Sequence, residues 1–250
     1  MKTNEKNVFF DINKLPGEKG HLVIGLSMTR LEEGQAPGDI MEFLRHIVPA
    51  KVSKPFIGCN FLYTDGLYLY SDETASVLKK KYSSMMTRHK NGLWNLIQKA
   101  WFEFQIQNSF SFLVWNQLYI GHYDFYNHVL ELRKIYDQDS EFQKYLALDC
   151  KDINRDITEN QIMFFLEESL AMMYIMKGLV RIPNDFILDQ EEWILFCYSG
   201  RPLRSHIYMH QKNVFNLKNS KNVYENAFYN IEEKELIKFE DVDLETYSVK

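Results

Sequence analysis

The sequence predicts an α/β fold: one domain built on a mainly parallel sheet flanked by helices. Two observations lead there. Short runs that are apolar on both faces alternate with longer segments of helical character, the pattern of buried parallel strands joined by crossover helices. No repeat, low-complexity block or Pro/Gly/Ser linker divides the 250 residues, and 46% of them are apolar, ample for a single core.

Taken in order, residues 21–27, HLVIGLS, form the first strand, which opens into a polar, Gly-containing stretch over 28–38. A short helix is expected over 43–47 and a second strand over 55–62, PFIGCNFL. From 72 to 104 Pro is absent and Gly92 stands alone. A long helix interrupted near Gly92 is expected there, with Val77, Leu93, Trp94, Ile97 and Trp101 as its apolar positions. Residues 110–120 read as a strand entering a helix or loop at Gly121, followed by helices over 125–136 and 140–150. Residues 156–176 are the clearest amphipathic segment: Thr158 can cap its start, and Ile162, Phe165, Leu166, Met172, Met173 and Ile175 supply its apolar face. A late buried strand follows over 193–198, WILFCY. The last stretch, 232–250, has seven acidic and three basic residues and reads as an acidic surface tail, leaving 1–231 as the domain.

Charge narrows the function. With 34 acidic against 29 basic residues, a net charge of −5 and a pI near 5.8, the chain does not coat nucleic acid by bulk charge, and no DNA partner is expected. Residues 74–102 are the exception. They hold Lys79, Lys80, Lys81, Arg88, Lys90 and Lys99 and no acidic residue. On a continuous helix Lys81, Arg88 and Lys99 fall within about 20° of one another, a positive ridge suited to phosphates, although such a run is often only a solvated face. Three widely spaced cysteines, Cys59, Cys150 and Cys197, suit a reducing compartment. No signal peptide or membrane span is evident, so a cytoplasmic protein without a membrane partner is expected; the expected state is a monomer. The 15% aromatic content suits deep pockets or tight helix packing and selects no function.

In open parallel sheets ligands collect at the carboxyl ends of the strands, where Ser27 and Tyr198 both fall. Ser27 has two readings: an N-capping residue after a core strand, or a hydroxyl nucleophile with Gly25 admitting a substrate close to the backbone. A hydrolase elbow requires Gly-x-Ser-x-Gly, but the chain reads Gly25-Leu26-Ser27-Met28-Thr29. His206 and His210 are four apart, yet no glutamate follows His206 and no CxxC exists, so no metal is expected. With neither a Walker loop nor GxGxxG, no ATP, dinucleotide or other cofactor is expected.

Four features occur in an informative order. His21-Leu22-Val23-Ile24-Gly25-Leu26-Ser27 is followed by the basic helix, then by Phe164-Phe165-Leu166-Glu167-Glu168, then by Cys197-Tyr198-Ser199-Gly200-Arg201-Pro202-Leu203. Together they resemble the tRNA-dependent cyclodipeptide synthases: His-x-two aliphatics-Gly-aliphatic-Ser, a helix that binds the tRNA acceptor stem, Tyr-x-x-x-Glu, and a late tyrosine before a Pro-Leu step. The resemblance covers residues 21–203. Departures are Phe164 for the tyrosine of the second signature, Arg30 where one branch has asparagine, Ser199 where histidine or proline is usual, and Ser-Leu after Glu168 in place of aliphatic-proline.

The resemblance implies a Rossmann-like domain similar to the catalytic domains of class I aminoacyl-tRNA synthetases, but fed by two aminoacyl-tRNAs charged elsewhere. Ser27 would take the first aminoacyl group as an ester. The second aminoacyl-tRNA would donate its amino group to that ester, and the dipeptidyl-enzyme would close to a diketopiperazine with Tyr198 assisting proton movement. Glu168, beside Phe164 and Leu166 and one turn from Ala171 and Met172, would bind the α-amino group and later accept its proton. Glu167 is read as the ordinary solvent-exposed glutamate of the pair. Gly25, Arg30, Phe164 and Ser199 are the implied substrate contacts, with Val23, Ala171 and Met172 as walls of the first side-chain pocket. Lys79, Lys80, Lys81, Arg88, Lys90 and Lys99 would meet the tRNA. The alternatives are a tRNA-binding module that does not cyclise, and an α/β serine esterase or acyltransferase unrelated to tRNA.

Overall fold

The first strand, β1 (Lys19–Leu26), has no exposed side on its central residues: Leu22 and Ile24 are wholly buried on one face and Val23 nearly so on the other. Each such aliphatic side chain removed from water contributes about 1.5–3 kcal/mol, which fixes the strand in the middle of the sheet. The structure, a computed structural model, describes residues 19–47, 56–64, 75–101, 106–115, 119, 123–177, 179, 192–217 and 227–249.

The remaining elements are α1 (Pro37–Ile47), β2 (Phe56–Tyr63), α2 (Ala75–Lys99), β3 (Ile106–Val114), α3 (Tyr123–Gln138), α4 (Ser140–Asp152), α5 (Glu159–Met176), β4 (Glu192–Tyr198), α6 (Arg204–Gln211), β5 (Ala227–Asn230) and β6 (Glu235–Lys238). The six strands form one sheet in the order β3-β2-β1-β4-β5-β6. Pairing is parallel from β3 to β5, and β6 closes the edge antiparallel to β5. This is the doubly wound, Rossmann-like arrangement: the chain moves outward from β1 through β2 and β3, then returns to lay β4 on the other side of β1. Alternation along the strands separates two cores. Leu22, Ile24, Leu195 and Cys197 pack with α1 and α2, whereas Val23 and Phe196 pack with α3 to α6.

Several boundaries differ from expectation. Helix α1 starts at Pro37, two turns before the predicted 43–47, because Pro suits the first helical position and the Asp39 carboxylate accepts the Ala36 N–H at 3.0 Å. Helix α2 runs unbroken through Gly92, against which the Pro37 ring packs. Strand β3 occupies 106–114, earlier than the predicted 110–120; Trp115 has already left it, and most of 116–122 lies outside the described residues. Thr158 caps α5 as expected, its hydroxyl accepting from Gln161 N–H at 3.2 Å.

The reading of 232–250 as an acidic surface tail is corrected. Strand β6 lies within it, Phe239 and Leu244 are buried in the larger core, and Glu232 and Glu233 pair with Arg30 and Arg201. The expectation about the first residues lies outside the described ones. Cys59, Cys150 and Cys197 are free and buried. Among the described residues no helix is long and apolar enough to cross a membrane.

One buried carboxylate ties the later helices together. Asp149 of α4, wholly inaccessible, accepts the backbone N–H groups of Arg204 and Ser205 at 2.9 and 2.8 Å, capping α6 from outside. The Arg204 guanidinium, also buried, reaches Asp152 at 2.8 Å and the Tyr247 carbonyl. Replacing Asp149 with Ala strands both amides and part of that charge, so urea unfolding should show a loss of about 3–5 kcal/mol.

Candidate active site

The strand order reverses at β1, with β2 on one side and β4 on the other, and this leaves a crevice at the carboxyl ends of β1 and β4, where no crossover helix can cover both strands at once. A cavity of about 310 Å³ opens there. The three motif-bearing stretches all reach it: the loop after β1 with Ser27, Thr29 and Arg30; one stripe of α5; and the end of β4 with Tyr198 and Ser199; Arg155, Arg201, His206, Phe228 and Val249 are among the residues lining the rest. The α5 stripe is Phe164, Glu168 and Met172, spaced four apart and so stacked on one helix face.

The loop after β1 holds Ser27 tightly at its backbone. Ser27 N–H donates to the Gln35 side-chain oxygen at 2.7 Å, and Ser27 C=O accepts from Arg30 N–H at 3.0 Å. The neighbouring carbonyls are held too: Gly25 C=O accepts from Gln35 Nε2 at 3.1 Å, and Leu26 C=O from Thr64 N–H at 3.0 Å. The Ser27 hydroxyl is half-buried, faces the cavity and lies 3.0 Å from Thr29 Oγ1.

Glu168 is half-buried, and among the described residues no hydrogen bond or ion pair holds its carboxylate. Burial raises its pKa from 4.5 to about 7; nearby Arg155 opposes the rise and Asp149 adds to it. A carboxyl group poised there can bind a cation when ionised and carry a proton when neutral. Glu167, expected to be exposed, is instead buried at 6%, because it lies a hundred degrees further round α5 and faces the core near Tyr119. The Phe164 ring forms a half-buried wall beneath the Arg155 guanidinium, 5.6 Å from its centroid.

Other expected contacts are reassigned. Gly25 does not line the cavity: a Cβ there would lie 3.1 Å from both the Phe196 and Tyr198 rings, so the missing side chain makes room for protein, not for a ligand. Val23 and Ala171 are 2% and 0% exposed and belong to the core; Ala171 C=O accepts from the Tyr119 hydroxyl at 2.9 Å. Of the three proposed pocket walls only Met172 reaches the cavity. Arg30 does line it, but its guanidinium is engaged, donating to Ser199 C=O at 2.6 Å and pairing with Glu232. It passes over Gly200, whose φ of +105° disfavours any side chain and where a Cβ would lie 3.1 Å from the guanidinium. The Ser199 hydroxyl is buried beside the cavity without a hydrogen-bond partner among the described residues.

The basic residues lie on α2. Lys80, Lys81, Arg88, Lys90 and Lys99 are exposed, and the unbroken helix keeps Lys81, Arg88 and Lys99 in line. Arg88 pairs with Glu32 at 3.1 Å, and Lys90 lies 5.2 Å over the Phe112 ring. The Lys79 side chain lies outside the described residues. His206 and His210 stack on each other at 4.9 Å against Phe239, and His206 also lines the cavity. Thr29, Gln35, Arg155 and Val249, which lines the cavity from the C-terminal segment, carry no motif that marks them in the sequence.

Linkage supplies a test of the Glu168 environment. The folded chain holds the Glu168 proton more tightly than the unfolded chain, so the stability this gives is fully present below pH 4.5 and is lost as pH rises through about 7. Between those limits the wild type should lose up to roughly 3 kcal/mol relative to Glu168→Gln, measured by denaturant unfolding across pH.

No family model matches the chain, and no curated protein matches it. Among solved structures it is similar to a cyclodipeptide synthase from Bacillus thermoamylovorans, with a TM-score of 0.52 and 16% identity over 84% of this chain and 88% of that one. It is also similar to a CDPS from Staphylococcus haemolyticus, with a TM-score of 0.51 and 15% identity over 80% and 86% of the two chains. At such identities the likeness is one of fold.

Proposed function

We propose that the chain is a cyclodipeptide synthase that joins two amino acids delivered by aminoacyl-tRNAs, using Ser27 as the acyl carrier. The observation that carries this reading is convergence: Ser27, Glu168 and Tyr198, drawn from three separate motifs, line one cavity at the reversal point of the sheet. The shared fold with the two synthases supports it.

In this mechanism the Ser27 hydroxyl attacks the ester carbonyl of the first aminoacyl-tRNA. The tRNA hydroxyl leaves with the serine proton, and one ester replaces another, a nearly thermoneutral exchange that needs no ATP. The ionised Glu168 carboxylate holds the α-ammonium group of the bound residue and then removes its proton. Atom balance reverses the direction expected above. Attack by the incoming amine on the Ser27 ester would free the serine and leave the dipeptide on tRNA. The Ser27-bound residue must instead attack the second aminoacyl-tRNA with its own amine, expelling that tRNA and leaving a dipeptidyl ester on Ser27. The terminal amine then attacks this ester, closing the ring and restoring the hydroxyl, with Tyr198 relaying the proton. Closure needs a cis peptide bond, about 2.5–4 kcal/mol above trans, so the cavity must hold the dipeptide bent.

Incubation with labelled aminoacyl-tRNA should leave label on the protein through denaturation, and Ser27→Ala should abolish it. A cyclic dipeptide should appear by mass spectrometry in the medium of an expressing bacterium. Binding of tRNA without covalent label is the result expected of a binding module instead, and hydrolysis of small esters indifferent to the basic helix is that of an esterase. Charge reversal at Lys81, Arg88 and Lys99 together should weaken tRNA binding and flatten its salt dependence by roughly one unit of slope for each phosphate no longer neutralised.

A further inference from the structure

We infer that Gln35 is the positioning residue of Ser27 and that His89 fixes Gln35, so that the inner face of α2 braces the serine loop. This inference rests on the reading of Ser27 as the acyl carrier. Gln35 is wholly buried, and both ends of its amide are used: Oε1 accepts the Ser27 N–H at 2.7 Å, and Nε2 donates to the Gly25 carbonyl at 3.1 Å. Strand β1 ends at Leu26, so one side chain takes over from the sheet ladder as the chain leaves it. Rotating the amide by half a turn would place donor against donor and acceptor against acceptor, so only one orientation serves both partners.

Gln35 is in turn held from behind. Its backbone carbonyl accepts the His89 Nε2–H at 2.7 Å, and His89 Nδ1 accepts the Tyr63 hydroxyl at 2.9 Å. Burial lowers the His89 pKa, and a neutral ring protonated at Nε2 satisfies both contacts. His89 is 5% exposed and points inward from α2, while its neighbours Arg88 and Lys90 are exposed. A chain of hydrogen bonds therefore runs from β2 through α2 and the loop to the backbone of Ser27. The serine N–H, being engaged, is not available to stabilise an oxyanion, so the contribution of Gln35 is to hold the hydroxyl on line with the cavity.

The test is single-turnover acylation of Ser27 by labelled aminoacyl-tRNA, read beside the Kd for the same tRNA and the thermal midpoint. Gln35→Met and His89→Leu should each slow acylation about 10- to 100-fold while the Kd stays within about twofold, the cost of a misplaced nucleophile on an intact binding surface. His89→Gln, which keeps a donor near the Nε2 position, should recover most of the rate lost in His89→Leu. Wild-type acylation rates in folded Gln35→Met, or equal rates in His89→Leu and His89→Gln, overturn the inference while leaving the acyl-carrier reading standing. Should Gln35→Met not fold, the His89 pair decides alone. A wild-type protein that takes no label at Ser27 removes the acyl-carrier reading and this inference with it.

Discussion

The cavity depends on the parallel pairing of β1 with β4, which sets Ile24 opposite Cys197 and so brings Ser27 and Tyr198 to the same edge of the sheet. Each strand alone ends in an ordinary loop. Side by side, with their crossovers departing in opposite directions, they leave a gap that α5 roofs from one face. These two strands have no polar side chain among their innermost residues apart from His21, so burial holds the register, and a slip of one residue would turn every apolar side chain to the wrong core.

Electrostatics at this edge is divided between structure and chemistry. Three arginines line the cavity, Arg30, Arg155 and Arg201. Two are neutralised by the turn between β5 and β6, Arg30 by Glu232 and Arg201 by Glu233, and they act as ties between loops. Arg155 has the Gln161 side-chain oxygen at 3.1 Å as a hydrogen-bond partner, and it is the cation that bears on Glu168. The cavity thus presents one carboxyl group and one guanidinium outside any ion pair among the described residues, against an otherwise balanced lining.

What the sequence discloses follows from periodicity and from motif order. Runs apolar on both faces mark the buried strands, and the four-residue spacing of Phe164, Glu168 and Met172 places them on one helix face. Depth is not disclosed. Val23 and Ala171 lie on the faces expected, yet periodicity gives direction without distance, and both stop short of the cavity. Gly25 is a sound marker of close approach, but what approaches is a pair of aromatic rings from β4, distant in the sequence. The acidic end misleads because composition counts charges without their partners: its glutamates complete arginines that come earlier in the chain. Pro37 reads as loop chemistry in a polar stretch, although the same residue serves to begin a helix. Gln35 has no signature, since a lone glutamine in a polar stretch looks like solvent-facing loop.

The Arg30 tie joins positions 169 and 202 residues apart along the chain, to Ser199 and Glu232. During synthesis, which adds roughly 5–20 residues per second, Glu232 follows the serine by about 10–40 seconds, and only then can the loop acquire its last anchor. The clamp over the serine loop is therefore a late event in folding, because Arg30 stays without its Ser199 and Glu232 partners until both have been added to the chain.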